Sequence, residues 1–266
     1  MTPPLRVARE GAVEVWTIDV PDAGNAVSGA DFVECLENAV DAVNRDVTVG
    51  AVILTGEGAL FSSGGNVKEM ADHRGVFGLE PIEQRHAYVD TIQRIPRAMV
   101  RCEAPVIAAV NGPAVGAGCD LAMMCDLRIV TDGAFFAESF VQIGLIPGDG
   151  GSWFLPRVVG EARAAEMTLT GDRVRAEAAL EWGMVSAVVA ADDLLPEAHA
   201  LAERIVKNPA HAVRMAKRLL LASRTDSLDS VLGLAAAMQP LAHSDPEHHQ
   251  RVDAWRRARA DRKPND

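Results

Sequence analysis

Two glycine-rich turns are where this chain could do chemistry. The first is Phe61-Ser62-Ser63-Gly64-Gly65-Asn66, which follows the apolar run Ala51-Val52-Ile53-Leu54 and leads into Val67-Lys68-Glu69-Met70. The second, Asn111-Gly112-Pro113-Ala114-Val115-Gly116-Ala117-Gly118, follows Val106-Ile107-Ala108-Ala109-Val110 and leads into Cys119-Asp120-Leu121-Ala122. A strand, a small-residue turn and a helix start leave backbone N–H groups unpaired and aimed outward, with the helix dipole favouring negative charge beside them. One such turn alone reads more simply as a tight loop using glycine for backbone freedom. Two of them offer paired donors, which is what the oxygen of a developing enolate needs. Neither turn fits GxGxxG or the lysine spacing of a phosphate-binding loop, so a nucleotide site is a poor explanation.

The elements that must hold these turns follow from periodicity. Residues 13–18 alternate like a half-buried strand, whereas 51–54 and 106–110 are apolar throughout, as in strands covered on both faces. Ser28 or Asp31 is expected to cap a helix reaching Asn44, and residues 80–102 read as one long helix interrupted at Pro96. Beyond about Val188 strands cease, and 194–207, 210–223, 228–238 and 246–260 read as helices, which sets the expected division at 1–195 and 196–266. Of 266 residues 48% are hydrophobic and 24% charged, the balance of a globular protein with a sizeable core. The amino terminus carries no apolar leader and no run spans a membrane, so the expectation is a cytoplasmic protein with no membrane partner. A net charge of −11 argues against a nucleic-acid partner. The four cysteines form no CxxC pair, and Cys119 and Cys125 read as small core residues, as do Met123 and Met124. No metal site is expected: His248-His249 has no i, i+4 partner and reads as exposed. The run 251–263 alternates in charge like a solvated helix face.

The two turns, with Asn25-Ala26, Met123-Met124-Cys125-Asp126, Gly144-Leu145-Ile146-Pro147-Gly148, Leu155-Pro156-Arg157, Leu169-Thr170-Gly171-Asp172 and residues 178–185, resemble the enoyl-CoA hydratase/isomerase (crotonase) superfamily over nearly the whole chain. The resemblance implies an α/β fold with a crotonase-like ββα spiral core and a helical C-terminal trimerisation region, assembling as a homotrimer or a dimer of trimers. It implies an acyl-CoA thioester whose carbonyl lies in an oxyanion hole made by the N–H groups of Gly65 and Ala117. Coenzyme A is then part of the substrate and no cofactor is held permanently. Ser63, Gly64 and Lys68 are the positions the resemblance places along the coenzyme.

Hydratases of the family use two carboxylates around a water, and here the pattern breaks. The first falls on Asp120, one helical turn past Ala117 and one methylene shorter than the usual Glu. The second falls on Phe140, which carries no proton. Glu138, two residues earlier, would share its face on a strand, and Asp149 lies near where dienoyl-CoA isomerases and aryl-CoA dehalogenases carry an aspartate. Asp149 reads equally as an N-cap for a helix opening at Gly150. Asn66, where many relatives have Asp, reads as structural. No GxSxG elbow exists. Hydration of an enoyl-CoA heads the expectations, double-bond isomerisation of an enoyl- or dienoyl-CoA is the alternative, and a noncatalytic acyl-CoA binder is the third.

Overall fold

The computed structural model describes residues 3–260. A hairpin opens it, β1 (Leu5–Glu10) pairing antiparallel with β2 (Val13–Ile18). Next come α1 (Ala30–Arg45), β3 (Ala51–Gly56), the one-turn α2 (Val67–Ala71), α3 (Pro81–Asp90), α4 (Arg94–Arg101) and β4 (Val106–Val110). A short β5 (Ala114–Val115) precedes α5 (Ala117–Met124), β6 (Leu127–Thr131) and β7 (Phe135–Ala137). The chain continues through α6 (Gly151–Val159), α7 (Glu161–Thr170), β8 (Val174–Arg175), α8 (Ala176–Glu181) and β9 (Ala187–Val189). It finishes in α9 (Leu194–Val206), α10 (Ala210–Ala222), α11 (Leu228–Ser244) and α12 (Pro246–Ala260).

The main sheet runs β1-β2-β3-β4-β6-β9 and is parallel from β2 onward; a second sheet runs β5-β7-β8. The continuous apolar runs have the cause expected of them. Val52, Leu54, Val106, Ala108 and Val110 face the cluster shared with α1, α4 and α5, whereas Ala51, Ile53, Ile107 and Ala109 face Leu194, Ala198 and Ala202 of α9. With both faces covered, residues 51–54 and 106–110 carry no polar side chain. Helix α1 buries Phe32, Val33, Leu36, Ala39, Val40 and Val43, a stripe at helical spacing.

Several local expectations are corrected. Gly29, not Ser28 or Asp31, is the N-cap of α1; the Ser28 hydroxyl instead accepts the Asn66 N–H at 3.2 Å. The long helix over 80–102 is two helices parted at residues 91–93, and Pro96 sits three residues into α4, where its missing N–H is one the helix leaves unpaired anyway. Helix α11 runs past Met238 to Ser244 with Pro240 inside it. Because α9 covers one face of the main sheet, a division at 195/196 falls at its second residue. Helix α10 is tied back to the core by two buried cations. Lys217 pairs with Asp126 at 2.7 Å, and Arg214 donates to the carbonyls of Val43, Asp46 and Val49. The last three residues of the charged 251–263 run lie outside the described residues.

Candidate active site

The two turns lie against one another. Ser62 bridges Ala114 as in a parallel strand pair, the Val115 N–H donates to the Ser62 carbonyl at 2.9 Å, and the N–H groups of Phe61 and Ser62 both reach the Pro113 carbonyl. Glycine permits this approach: a methyl group on Gly64 (φ 85°) would fall 2.5 Å from the Val115 oxygen and 2.8 Å from the Ala117 nitrogen. Asn25, buried with φ 53°, latches the first turn by donating to the carbonyls of Glu57 and Leu60. Its type was visible in the sequence, since Asn tolerates left-handed backbone, but nothing there revealed its partners.

Among the described residues, the hydrogen bonds of the turns leave the N–H groups of Gly65 and Ala117 unspent, as they do those of Gly112 and Gly118. Ser63 N–H goes to the Gly24 carbonyl, Gly64 N–H to the Ser62 hydroxyl and Asn66 N–H to Ser28, while Gly65 N–H donates to nothing among the described residues. On the second turn Val115 and Gly116 spend their N–H groups on Ser62 and Ala137; Ala117 N–H, the first of α5, has no partner among the described residues. Gly116, at φ 53° and ψ −124°, holds a conformation open to glycine alone and so aims α5 at this point. Asn66 caps α2 through the Glu69 N–H at 3.3 Å, a structural role as expected. Ser63 and Gly65 are half-buried beside these donors, and Lys68 is exposed on α2.

One turn into α5, Asp120 is 0% exposed, and Glu138 and Asp149 are 1% and 3% exposed. The structure brings all three into contact with one another through Asp120, by routes the sequence did not show. Strand β7 ends at Ala137, so Glu138 is no strand residue: it precedes a 3-10 turn, Ser139–Ile143, that contains Phe140. Asp149 is no cap either, because Gly150 (φ 112°) occupies the N-cap of α6 with no side-chain bond and the Asp149 carboxyl turns inward. A methyl group on Gly151 would overlap the Asp120 carboxyl, so glycine there lets α6 close over the acid. Phe140 is half-buried, and its ring faces the Cα of Gly116.

Burial pushes the Asp120 carboxyl well above the ordinary range, and the charges of Asp149 and Glu138 add to it. Glu138 and Asp149 are raised for the same first reason. Both oxygens of Asp120 and of Glu138, and Oδ1 of Asp149, have no hydrogen-bond partner among the described residues. Ionised carboxylates cannot bond to each other; a proton held by Asp120 can be shared with Glu138 on one side and Asp149 on the other. With its pKa raised furthest by burial and by both neighbours, Asp120 is the member that favours holding that proton. Cys119 is buried as expected, and its thiol is pushed up by burial and by the Glu138 charge.

Elsewhere, His211, Asp245 and Glu247 bring ligand atoms within 4.8 Å of one another, but Glu247 pairs with Arg251 and Asp245 caps α12 through the Glu247 N–H. His248, expected to be exposed, is half-buried and meets the His243 ring nitrogen at 3.2 Å.

Residues 8–257 match the family model described as enoyl-CoA hydratase/isomerase. The chain belongs to the enoyl-CoA hydratase/isomerase family. It is 37% identical over 228 residues to a probable enoyl-CoA hydratase of Mycobacterium bovis, covering 86% of this chain and 85% of that one. It is 34% identical over 250 residues to the 1,2-epoxyphenylacetyl-CoA isomerase of Escherichia coli, covering 92% of each. A crystal structure of an enoyl-CoA hydratase from Mycobacterium smegmatis superposes with a TM-score of 0.87 at 32% identity, over 99% of this chain and 98% of that one. The family fold accounts for the two sheets and the helical carboxy-terminal region, and family membership makes this an enzyme acting on coenzyme A thioesters. Among the described residues no helix is long and apolar enough to cross a membrane.

Proposed function

We propose that this enzyme hydrates a 2-enoyl-CoA, with the thioester carbonyl held between the N–H groups of Gly65 and Ala117. The observation carrying the proposal is that these two N–H groups, on adjoining turns, are left unspent beside a buried carboxyl cluster. Hydrogen bonds to the carbonyl strengthen as it becomes an enolate, and each such donor is worth about 2.7–4 kcal/mol of barrier. Asp120, one turn from Ala117, and Glu138 bracket the water: the ionised partner takes its proton as oxygen adds to C3, and the protonated partner delivers one to C2. Glu138 thus supplies the second carboxyl that Phe140 cannot. Ser63 and Gly64 line the path of the pantetheine, with Lys68 toward the diphosphate. Asp149 favours a second reading, since a third carboxyl beside Asp120 could move a proton along the acyl chain and isomerise a double bond. The cytoplasm is the proposed compartment, and a trimer or dimer of trimers built on the helices after α9 the proposed assembly.

Crotonyl-CoA followed by loss of its enone absorbance tests the reading. Asp120→Asn should lower kcat by about 10²-fold or more with acyl-CoA binding nearly intact. A silent Asp120→Asn would move the base to Glu138 or Asp149. Binding of acetoacetyl-CoA without turnover of any enoyl-CoA would make the chain a binder.

A further inference from the structure

The carboxyl cluster has an outer end. Tyr88, the chain's one tyrosine, lies on α3 with its ring against the loop that carries Asp149. A methyl group on Gly148 would fall 2.9 Å from Cε1 of that ring and 3.4 Å from Cδ1. Gln93 Nε2 donates to the Gly148 carbonyl at 3.1 Å and fastens the same loop to the turn between α3 and α4. The phenol is half-buried, and burial, with the Asp149 charge second, raises its pKa. Neither the Tyr88 hydroxyl nor Asp149 Oδ1 has a hydrogen-bond partner among the described residues. Glu138, Asp120, Asp149 and Tyr88 therefore form a row of polar groups that runs from the interior to a half-buried rim.

Glu138 and Asp120 are accounted for by the water of hydration; Asp149 and Tyr88 are not. Asp149 Oδ1 is buried and without a partner among the described residues, and an alkyl chain supplies none. We infer that Tyr88 and Asp149 form a polar far wall of the acyl pocket and select acyl groups carrying a hydroxyl beyond the reacting carbons. A hydroxyl suits both groups at once, donating to the carboxylate and accepting from the phenol. A terminal carboxylate is disfavoured, because it would meet three acids. The inference rests on the proposed enoyl-CoA site.

The test compares straight-chain enoyl-CoA thioesters of four to eight carbons with counterparts that carry a hydroxyl on the terminal carbon. The wild-type enzyme should favour the hydroxyl member at one chain length or more by about tenfold in kcat/KM, the scale of the net gain from one hydrogen bond. Tyr88→Phe keeps the ring and should bring that ratio close to unity by lowering kcat/KM for the hydroxyl member more than for the alkyl one. The inference fails if the wild type prefers the alkyl member at every length. It fails equally if Tyr88→Phe slows both members alike, which would make Tyr88 a support for the loop. Turnover of the alkyl series with no hydroxyl preference overturns this inference alone, whereas no turnover of either series also removes the site reading beneath it.

Discussion

Ionising Asp120 in the folded chain puts a charge on a fully buried carboxyl, between two further carboxyls. Its pKa is raised above the ordinary 3.8, so the folded state keeps a proton that the unfolded chain gives up. The associated stability is complete below the ordinary carboxylate range and is lost as pH rises through the folded value. Asn carries no such charge. Asp120→Asn should therefore melt higher than wild type at neutral pH, with a gap that closes as pH falls toward about 4. Calorimetry across that range checks it, and a gap independent of pH would show that Asp120 is not ionising inside the fold. Asp120 was legible in the sequence because it stands a fixed helical turn from the second glycine-rich turn. The company it keeps was less so. Glu138 was singled out on a strand alternation that ends one residue too early, and it reaches Asp120 through the 3-10 turn instead. Tyr88 gave no signal, since its neighbour Gly148 is about 60 residues away and only the fold joins them.

At the scale of elements, the donor on α5 depends on how its first turn is launched. Gly116 sets the direction, and Ala117 is the first helical residue, a position where proline fits the backbone. Ala117→Pro thus deletes the N–H with little penalty to the helix itself, though its ring also fills space near Gly64. Turnover should fall by about 10²–10³-fold, with circular dichroism unchanged, whereas Ala117→Ser retains the donor and the activity. Equal rates for the proline variant would take Ala117 out of the site. The strand-turn-helix units were readable because doubly covered strands leave unbroken apolar runs, as in 51–54 and 106–110. Their ends were not. Gly29 and Gly150 cap helices without side-chain bonds, so the polar residues beside them, Ser28, Asp31 and Asp149, drew the caps in the sequence reading while two of them serve elsewhere.

At the scale of the molecule, α11 buries no residue, and Leu228, Leu232, Leu241 and Trp255 are 56–72% exposed on α11 and α12. These apolar side chains on adjacent helices are the surface that the proposed assembly would cover. Sedimentation at micromolar concentration should show three or six chains together; a stable monomer would contradict the assembly proposed. Replacing Leu228 and Leu232 by Glu should shift the equilibrium toward monomer. The family was readable in the sequence because its motifs lie in the turns that hold the site. Hydration was read ahead of isomerisation, but against the grain of Phe140 at the family's usual second acid position; Glu138, the proposed substitute, lies two residues before it at the start of the same 3-10 turn.

On the proposed reading the paired N–H groups and the carboxyl cluster add water across an enoyl-CoA. Crotonyl-CoA incubated with the enzyme in deuterium oxide, then returned to ordinary water and weighed by mass spectrometry, tests it most directly. The wild type should form a hydrated product retaining one deuterium on carbon, all but lost in Asp120→Asn. Recovery of crotonyl-CoA at its original mass, or deuterium on carbon with no water added, would contradict it.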